Sequence, residues 1–569
     1  MTTRSAKPGL LALLLAAGLL ALLLAAPPAL AGEYQEFLDR GLTNDEAASY
    51  VLSERARARP LEERAPLLEE AVRRSPDVPA FYFELSAAVL SDDLAALAKS
   101  ADYALRGLMA YGRNFWWSMS LAGLLYVSLI CSLGLALLVA LLLRLPSELP
   151  LLSHEAAENR RMLLLPALAV PLSLGGPVFF VAAGLAVVGL FMRRADKALI
   201  YAVALILALS PLWLRASDML FSAPSPEMRA VAAVNGGTGN GYALRVLRGR
   251  EDFPSAFSYA LALKREGRII EAIAIYKGLA ETHPDPRVFT NLGNAYFAVG
   301  LADEAKEAYA RAGQMRPSVK TFFNMSQVYR DSLDFKAGDK YFMEAARMDR
   351  DMVSRAASLA TRNPNRFVLD ETLPVAELWK YAYDNRRRGA SPFTVAPALA
   401  SALAVALMAI FYLFDSGRLA GRGGRRKASR CSRCGKIVCP GCTPAARWGE
   451  MCPECFKSLV RLVDVDPRDK VARLLAVHER RSRKRSAIKA LSFAPPGLAQ
   501  VYAGRLLGGV LYLWLFLFML MALVLNPMFS TGLAGRGHSW LAPVLALGMA
   551  VLYSASHLSV SRRLKKGWL

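Results

Sequence analysis

Residues 431–455 read CSRCGKIVCPGCTPAARWGEMCPEC and hold three Cys-x-x-Cys pairs: Cys431 with Cys434, Cys439 with Cys442, and Cys452 with Cys455. Two thiolates at this spacing reach one ion at about 2.3 Å, so each pair is half of a tetrahedral site. Zinc takes four ligands, and six thiols are too many for one such site and too few for two. The flanks GRGGRRKASR and RRSRKR are basic, and nearby cations favour the thiolate form that binds metal. A closed all-cysteine site is structural, because a catalytic zinc keeps an open position. Glu454 lies between two of the thiols and is assigned no catalytic role. Cys131 sits apart in an apolar run and reads as a small hydrophobe.

Whether the pairs hold metal or form disulfides depends on the compartment, so the topology comes next. The 569-residue chain is 54% hydrophobic, has mean hydropathy +0.27 and carries a formal charge of +23. These values predict an all-α, polytopic membrane protein with soluble segments. The charge excess reads first as cytoplasmic loops. Arg4 and Lys7, the apolar run Leu10 to Ala26, and Ala29-Leu30-Ala31 have the layout of a secretory signal peptide over 1–31. Residues 32–115 are then an exported helical domain.

Apolar runs predict a span at 116–143 with Trp116 and Trp117 at the interface, a short hairpin at 162–192 and a span at 198–214. Residues 215–394 are soluble, 395–414 form another span, and 415–489 are basic. The final segment, 490–569, holds spans at 506–526 and 540–558. The 162–192 run is long for one span and short for two. A turn at Gly175-Gly176-Pro177 places every later basic loop on one side. That gives seven passes in a bacterial inner (cytoplasmic) membrane, with the cysteines and the C-terminus cytoplasmic. There thiols stay reduced and zinc is favoured over disulfides.

Between the membrane segments the sequence repeats itself. FPSAFSYALALKREGRIIEAIAIYKGLAETHPD is followed 33 residues later by PRVFTNLGNAYFAVGLADEAKEAYARAGQMRPS. Gly267 matches Gly300, Ala272 matches Ala305, Tyr276 matches Tyr309 and Pro284 matches Pro317. A third copy from about 319 pairs Tyr329 with Tyr296, Phe342 with Tyr309 and Ala345 with Ala312. With Leu292, Gly293, Tyr296, Ala305, Tyr309, Ala312 and Pro317, the second copy resembles the tetratricopeptide repeat. The resemblance implies an α-solenoid of repeats at about 253–285, 286–318 and 319–351, with a groove for peptides or protein partners. Tyr259, Asn291, Asn294 and Lys320 are candidate groove residues, and the alternative for each is an ordinary place on a helix face. Residues 33–112 are compatible with one degenerate unit of the same kind.

The cysteine segment resembles the bacterial B-box-like zinc fingers, in which Cys-x-x-Cys-Gly-x-x-x-Cys-x-x-Cys precedes a last Cys-x-x-Cys and ligand pairs interleave. The first pair of that pattern is missing here. The resemblance therefore implies a structural zinc on Cys431, Cys434, Cys452 and Cys455. Cys439 and Cys442 with Cys452 and Cys455 are the competing set. Pro496-Gly497, then Tyr502-x-Gly504, resembles a small two-span membrane domain family. The alternative reading is an interfacial helix entry with glycines for close packing.

No catalytic constellation emerges. His154-Glu155 lacks a second histidine four residues on. His283, His478, His538 and His557 are not at ligand spacing, and no Gly-x-Ser-x-Gly elbow occurs. NGGTGNG at 235–241 lacks the Gly-Lys-Ser/Thr ending of a phosphate loop and reads as a linker. The expectation is a non-enzymatic, membrane-anchored scaffold or assembly factor of the bacterial envelope. Two alternatives stand beside it: a transporter or channel component built on the broken hairpin, and binding of anionic lipid or nucleic acid by the basic zinc module. Nucleic acid is the less favoured, because membrane lipid explains those charges more simply.

Overall fold

The computed structural model describes residues 44–158, 160–164, 166–167, 170, 177–360, 367–390, 397–416, 418, 428–438, 451–458, 466–529 and 537–566. The signal-peptide segment 1–31, Cys439, Cys442, Gly175 and Gly176 lie outside these residues. The chain is all-α apart from one two-stranded hairpin among the described residues. It divides into two units, one of Met1–Ala122, Met219–Arg387 and Phe529–Ser539, the other of Gly123–Asp218, Arg388–Met528 and Trp540–Leu569.

The first unit begins with helices Glu46–Arg57, Arg64–Arg74, Pro79–Ala88 and Leu94–Tyr111. Asp45 and Asp93 cap the first and last of these by accepting from backbone amides, which satisfies donors that a helix leaves open. Six repeat helices follow in pairs: Phe253–Arg265 with Ile269–Thr282, Pro286–Ala298 with Ala302–Met315, and Val319–Asp331 with Phe335–Met348. Gly267 and Gly300 turn the first two pairs at φ +79° and +85°, a region cheap only for glycine. In the third pair Leu333 takes the same position at φ +64°. Gly293 lies under the Tyr309 ring, 2.6 Å from where a Cβ would stand. Tyr276 and Tyr309 are fully buried between helices.

The second unit is apolar. Its core joins Leu137, Leu141, Phe179, Leu185, Ile200, Phe411 and Val510. Helix Phe115–Glu158 runs 44 residues and contains the stretch expected as a span at 116–143. Arg144 does not end it, because Glu148 one turn on neutralises that charge in an i,i+4 ion pair. Helix Pro177–Gly189 has 13 residues, about 20 Å of rise against a hydrocarbon core of about 30 Å. The segment expected as one span at 198–214 is broken. Helices Ala195–Ala208 and Ser210–Ser222 meet at 56°, where Pro211 has no N–H for the carbonyl a turn earlier.

The sequence pattern leads to seven passes. Among the described residues four helices are long and apolar enough to cross a membrane, Phe115–Ala157, Ala398–Asp415, Leu506–Phe529 and Leu541–Lys565, or five if the bent pair counts as one span. Near the last two, Gly497 at φ +96° packs on helix Leu506–Leu525, its Cβ position 2.1 Å from the Gly509 carbonyl. Gln500 donates to Ser556 Oγ at 2.9 Å. Gly497 thus serves close packing against the helix, Gly504 holds a turn at φ +90°, and Tyr502 is 38% exposed.

Candidate functional site

The thiol cluster rests on two short local structures. Strands Ser429–Arg430 and Ile437–Val438 pair antiparallel, with Arg430 opposite Ile437. Between them the chain turns tightly. Cys431 N donates to Lys436 O at 2.8 Å, Gly435 N donates to Cys431 O at 3.0 Å, and Gly435 holds φ +79°. This turn brings Cys431 and Cys434 to one side. Cys452 caps the short helix Pro453–Phe456, its Sγ accepting from Cys455 N at 3.4 Å. Cys452 N in turn donates to Cys431 Sγ at 3.3 Å, locking the second pair onto the first.

The sulfurs of Cys431, Cys434, Cys452 and Cys455 all lie within 4.8 Å of one another, and three of the four residues are buried. Cys434 and Cys452 sulfurs are 3.6 Å apart. A tetrahedral ion with sulfur at about 2.3 Å needs edges of about 3.8 Å, so this donor set fits one metal ion. Burial raises the Cys431 thiol, but amides of Cys452, Arg433 and Cys434 outweigh it and bring it down to about 6. Burial and the neighbouring sulfurs push Cys455 well above an ordinary thiol. Metal ligation requires the thiolate form, so a cation among these sulfurs would favour their deprotonation. Lys436 and Glu454 pair at 3.0 Å on the outside. Arg480, from helix Pro467–Leu491, donates to the Cys434 carbonyl.

The repeat groove is a second site, and it holds an extended segment of the chain itself. Residues 367–373, FVLDETL, carry no helix and cross the first helices of the three repeats. Asn324 clasps Leu369, accepting from its N–H at 2.8 Å and donating to its carbonyl at 2.8 Å. Asn291, 33 residues earlier and therefore at the same repeat position, clasps Glu371 in the same way at 2.8 and 3.0 Å. Asn235 accepts from Leu373 N at 2.7 Å. Asn294 donates to the Leu369 carbonyl at 3.0 Å and to Asp370 at 3.1 Å.

Charge and apolar sockets complete the fit. Asp370 pairs with Lys264 and with Arg265 Nε at 3.2 Å. Burial alone would raise its carboxyl, but the two cations outweigh that and hold it well below the ordinary carboxylate range. Lys320 donates to the Asp370 carbonyl at 2.8 Å and lies 3.5 Å from Glu371, whose carboxylate also accepts from Ser318 at 2.7 Å. Phe367 and Leu369 join the cluster of Phe323, Ala345 and Val353. Leu373 joins that of Phe257 and Leu261.

Of the groove candidates, Asn291, Asn294 and Lys320 touch this segment, whereas Tyr259 is buried in the apolar cluster of the first repeat. Asn324, Asp370 and Glu371 are additional site residues. Repeat arithmetic from Asn291 would have pointed to Asn324. Nothing in FVLDETL marks it as an occupant.

A further buried polar group lies in the same unit. His538 Nδ1 shares a hydrogen bond with Tyr111 Oη at 2.7 Å, and Nε2 lies 3.2 Å from Ser120 Oγ. Burial lowers the imidazole pKa to about 4. No curated protein matches the chain. The family model for the tetratricopeptide repeat matches residues 286–318, the stretch that supplies Asn291 and Asn294.

Proposed function

We propose that this protein is a non-enzymatic, membrane-anchored scaffold or assembly factor of the bacterial envelope that engages protein partners through its exported repeats. The observation that carries this reading is the stack of three helix pairs, whose inner face already grips an extended peptide segment. Tetratricopeptide repeats in general mediate protein–protein interaction. The thiol cluster supports a structural role on the cytoplasmic side: Cys431, Cys434, Cys452 and Cys455 would hold zinc, all four positions filled by sulfur and none left for substrate. When bound, the metal supplies folding energy to a module too small to bury a core. The B-box-like finger and the two-span domain remain the families these segments resemble. Helix Pro177–Gly189 joins the apolar cluster of Leu141, Ile200 and Phe411, which fits an anchoring role.

The test is in-cell crosslinking of the intact protein, with the linked sites mapped by mass spectrometry. Envelope proteins linked to residues 253–348 are the expected result. Cytosolic proteins at those positions would overturn both the exported placement and the envelope role.

A further inference from the structure

The residues that grip segment 367–373 specify a ligand. Two side-chain amides, Asn291 and Asn324, each read one N–H and one C=O of alternate residues. That pattern demands an extended backbone and is indifferent to sequence. Sequence enters between and beside them. One carboxylate must reach Lys264, Arg265 and Asn294, a second must meet Lys320 and Ser318, and apolar side chains must fill the sockets at Phe323 and at Leu261. Any peptide able to use the groove has these features, and the chain places one there permanently tethered.

We infer that the repeat groove is a binding site for an extended protein segment of the type apolar-apolar-apolar-Asp-Glu-x-apolar, and that residues 367–373 are its resident, autoinhibitory occupant. A partner with this chemistry enters by displacing the strap. This rests on the scaffold reading and narrows it. The tether gives the strap an effective concentration in the millimolar range, so the apparent affinity for an outside segment falls with the fraction of time the groove is open. Weakening the strap without touching the groove therefore raises that affinity. Asp370 is the residue to change, since it belongs to the occupant, while its partners Lys264, Arg265 and Asn294 belong to the groove.

The experiment uses the full chain in detergent and a fluorescein-labelled peptide with the sequence of residues 366–374, RFVLDETLP, read by anisotropy. Against the unaltered chain, Asp370→Asn should bind the peptide at least tenfold more tightly. Adding Asn324→Ala should abolish that gain, and a peptide carrying Asn in place of its aspartate should fail to bind. Equal affinity for the unaltered and Asp370→Asn chains would overturn the inference. Should Asp370→Asn not fold, Glu371→Gln disturbs only the half-buried end of the strap and should still give about a threefold gain. The unaltered protein supplies an independent reading. Millimolar peptide should speed hydrogen exchange at the Leu369 and Glu371 amides at least tenfold, and unchanged protection would count against displacement. Crosslinked envelope partners at other faces of the repeats, together with no peptide binding, would leave the scaffold reading standing and remove this one.

Discussion

At the scale of single residues, the buried charges carry the sharpest consequences. Asp370 neutralises Lys264 and Arg265, both largely buried. Asp370→Asn leaves two cations facing a neutral amide, so the repeat unit should lose about 3–5 kcal/mol, visible as a lower thermal midpoint of the purified protein. Acid reports on the same group. Its folded pKa lies below the ordinary 3.8, so its contribution is complete above that value and is lost as pH falls through and below it. His538 governs a separate window. Its pKa falls from an ordinary 6.5 to about 4 on burial, so the unfolded chain takes up a proton first. Stability drops as pH falls from 6.5 towards 4, by about 2 kcal/mol between pH 7 and pH 5. His538→Gln should flatten the thermal midpoint over that interval, and a slope identical to that of the unaltered chain would remove His538 as its source.

At the scale of elements, the cysteine turn and its capped helix show little apolar packing of their own among the described residues. Beyond the four cysteines, Val438 and Met451 are the apolar residues packed on them. In the proposed reading a bound metal supplies the folding energy that such packing does not. Purified protein should contain about one zinc per chain, and Cys455→Ser should reduce this to near zero while leaving the repeat unit's melting unchanged. Gly435→Ala should act in the same direction. Its backbone holds φ +79°, a conformation that a residue with a Cβ adopts only with strain.

Part of this module was legible in advance, because Cys-x-x-Cys spacing encodes a local turn and two such turns can bring four thiols to within reach of one ion. The repeat helices were legible for a similar reason, their small residues, turn glycines and tyrosines recurring every 33 positions. The strap was not. Residues 367–373 have no periodicity, and their conformation is set by asparagines up to 138 positions away in sequence. The length of helix Phe115–Glu158 was obscured by Arg144, whose charge looks like a boundary until Glu148 is seen to pair with it. The break after Ala208 depended on Pro211, an ordinary residue in an apolar run whose effect is only geometric.

At the scale of the whole molecule, the open question is which face of a membrane each soluble part occupies. The four long apolar helices, the bent pair and the short helix Pro177–Gly189 allow different pass counts, but charge constrains the choice. In the proposed topology, the basic segments that bracket the thiol cluster, RRSRKR of helix Pro467–Leu491 among them, put both on the cytoplasmic side by the positive-inside rule. The same proposal puts the repeats, joined to that module through the apolar helix Ala398–Asp415, on the opposite side. Single cysteines at two exposed positions test this directly, Glu281→Cys in the first repeat and Arg481→Cys in the basic helix. In intact spheroplasts a membrane-impermeant maleimide should label the first at least tenfold faster than the second. Permeabilisation should then bring the second up to the rate of the first. The reverse order would put the thiols on the oxidising side, where a pair of disulfides becomes the better reading of Cys431, Cys434, Cys452 and Cys455.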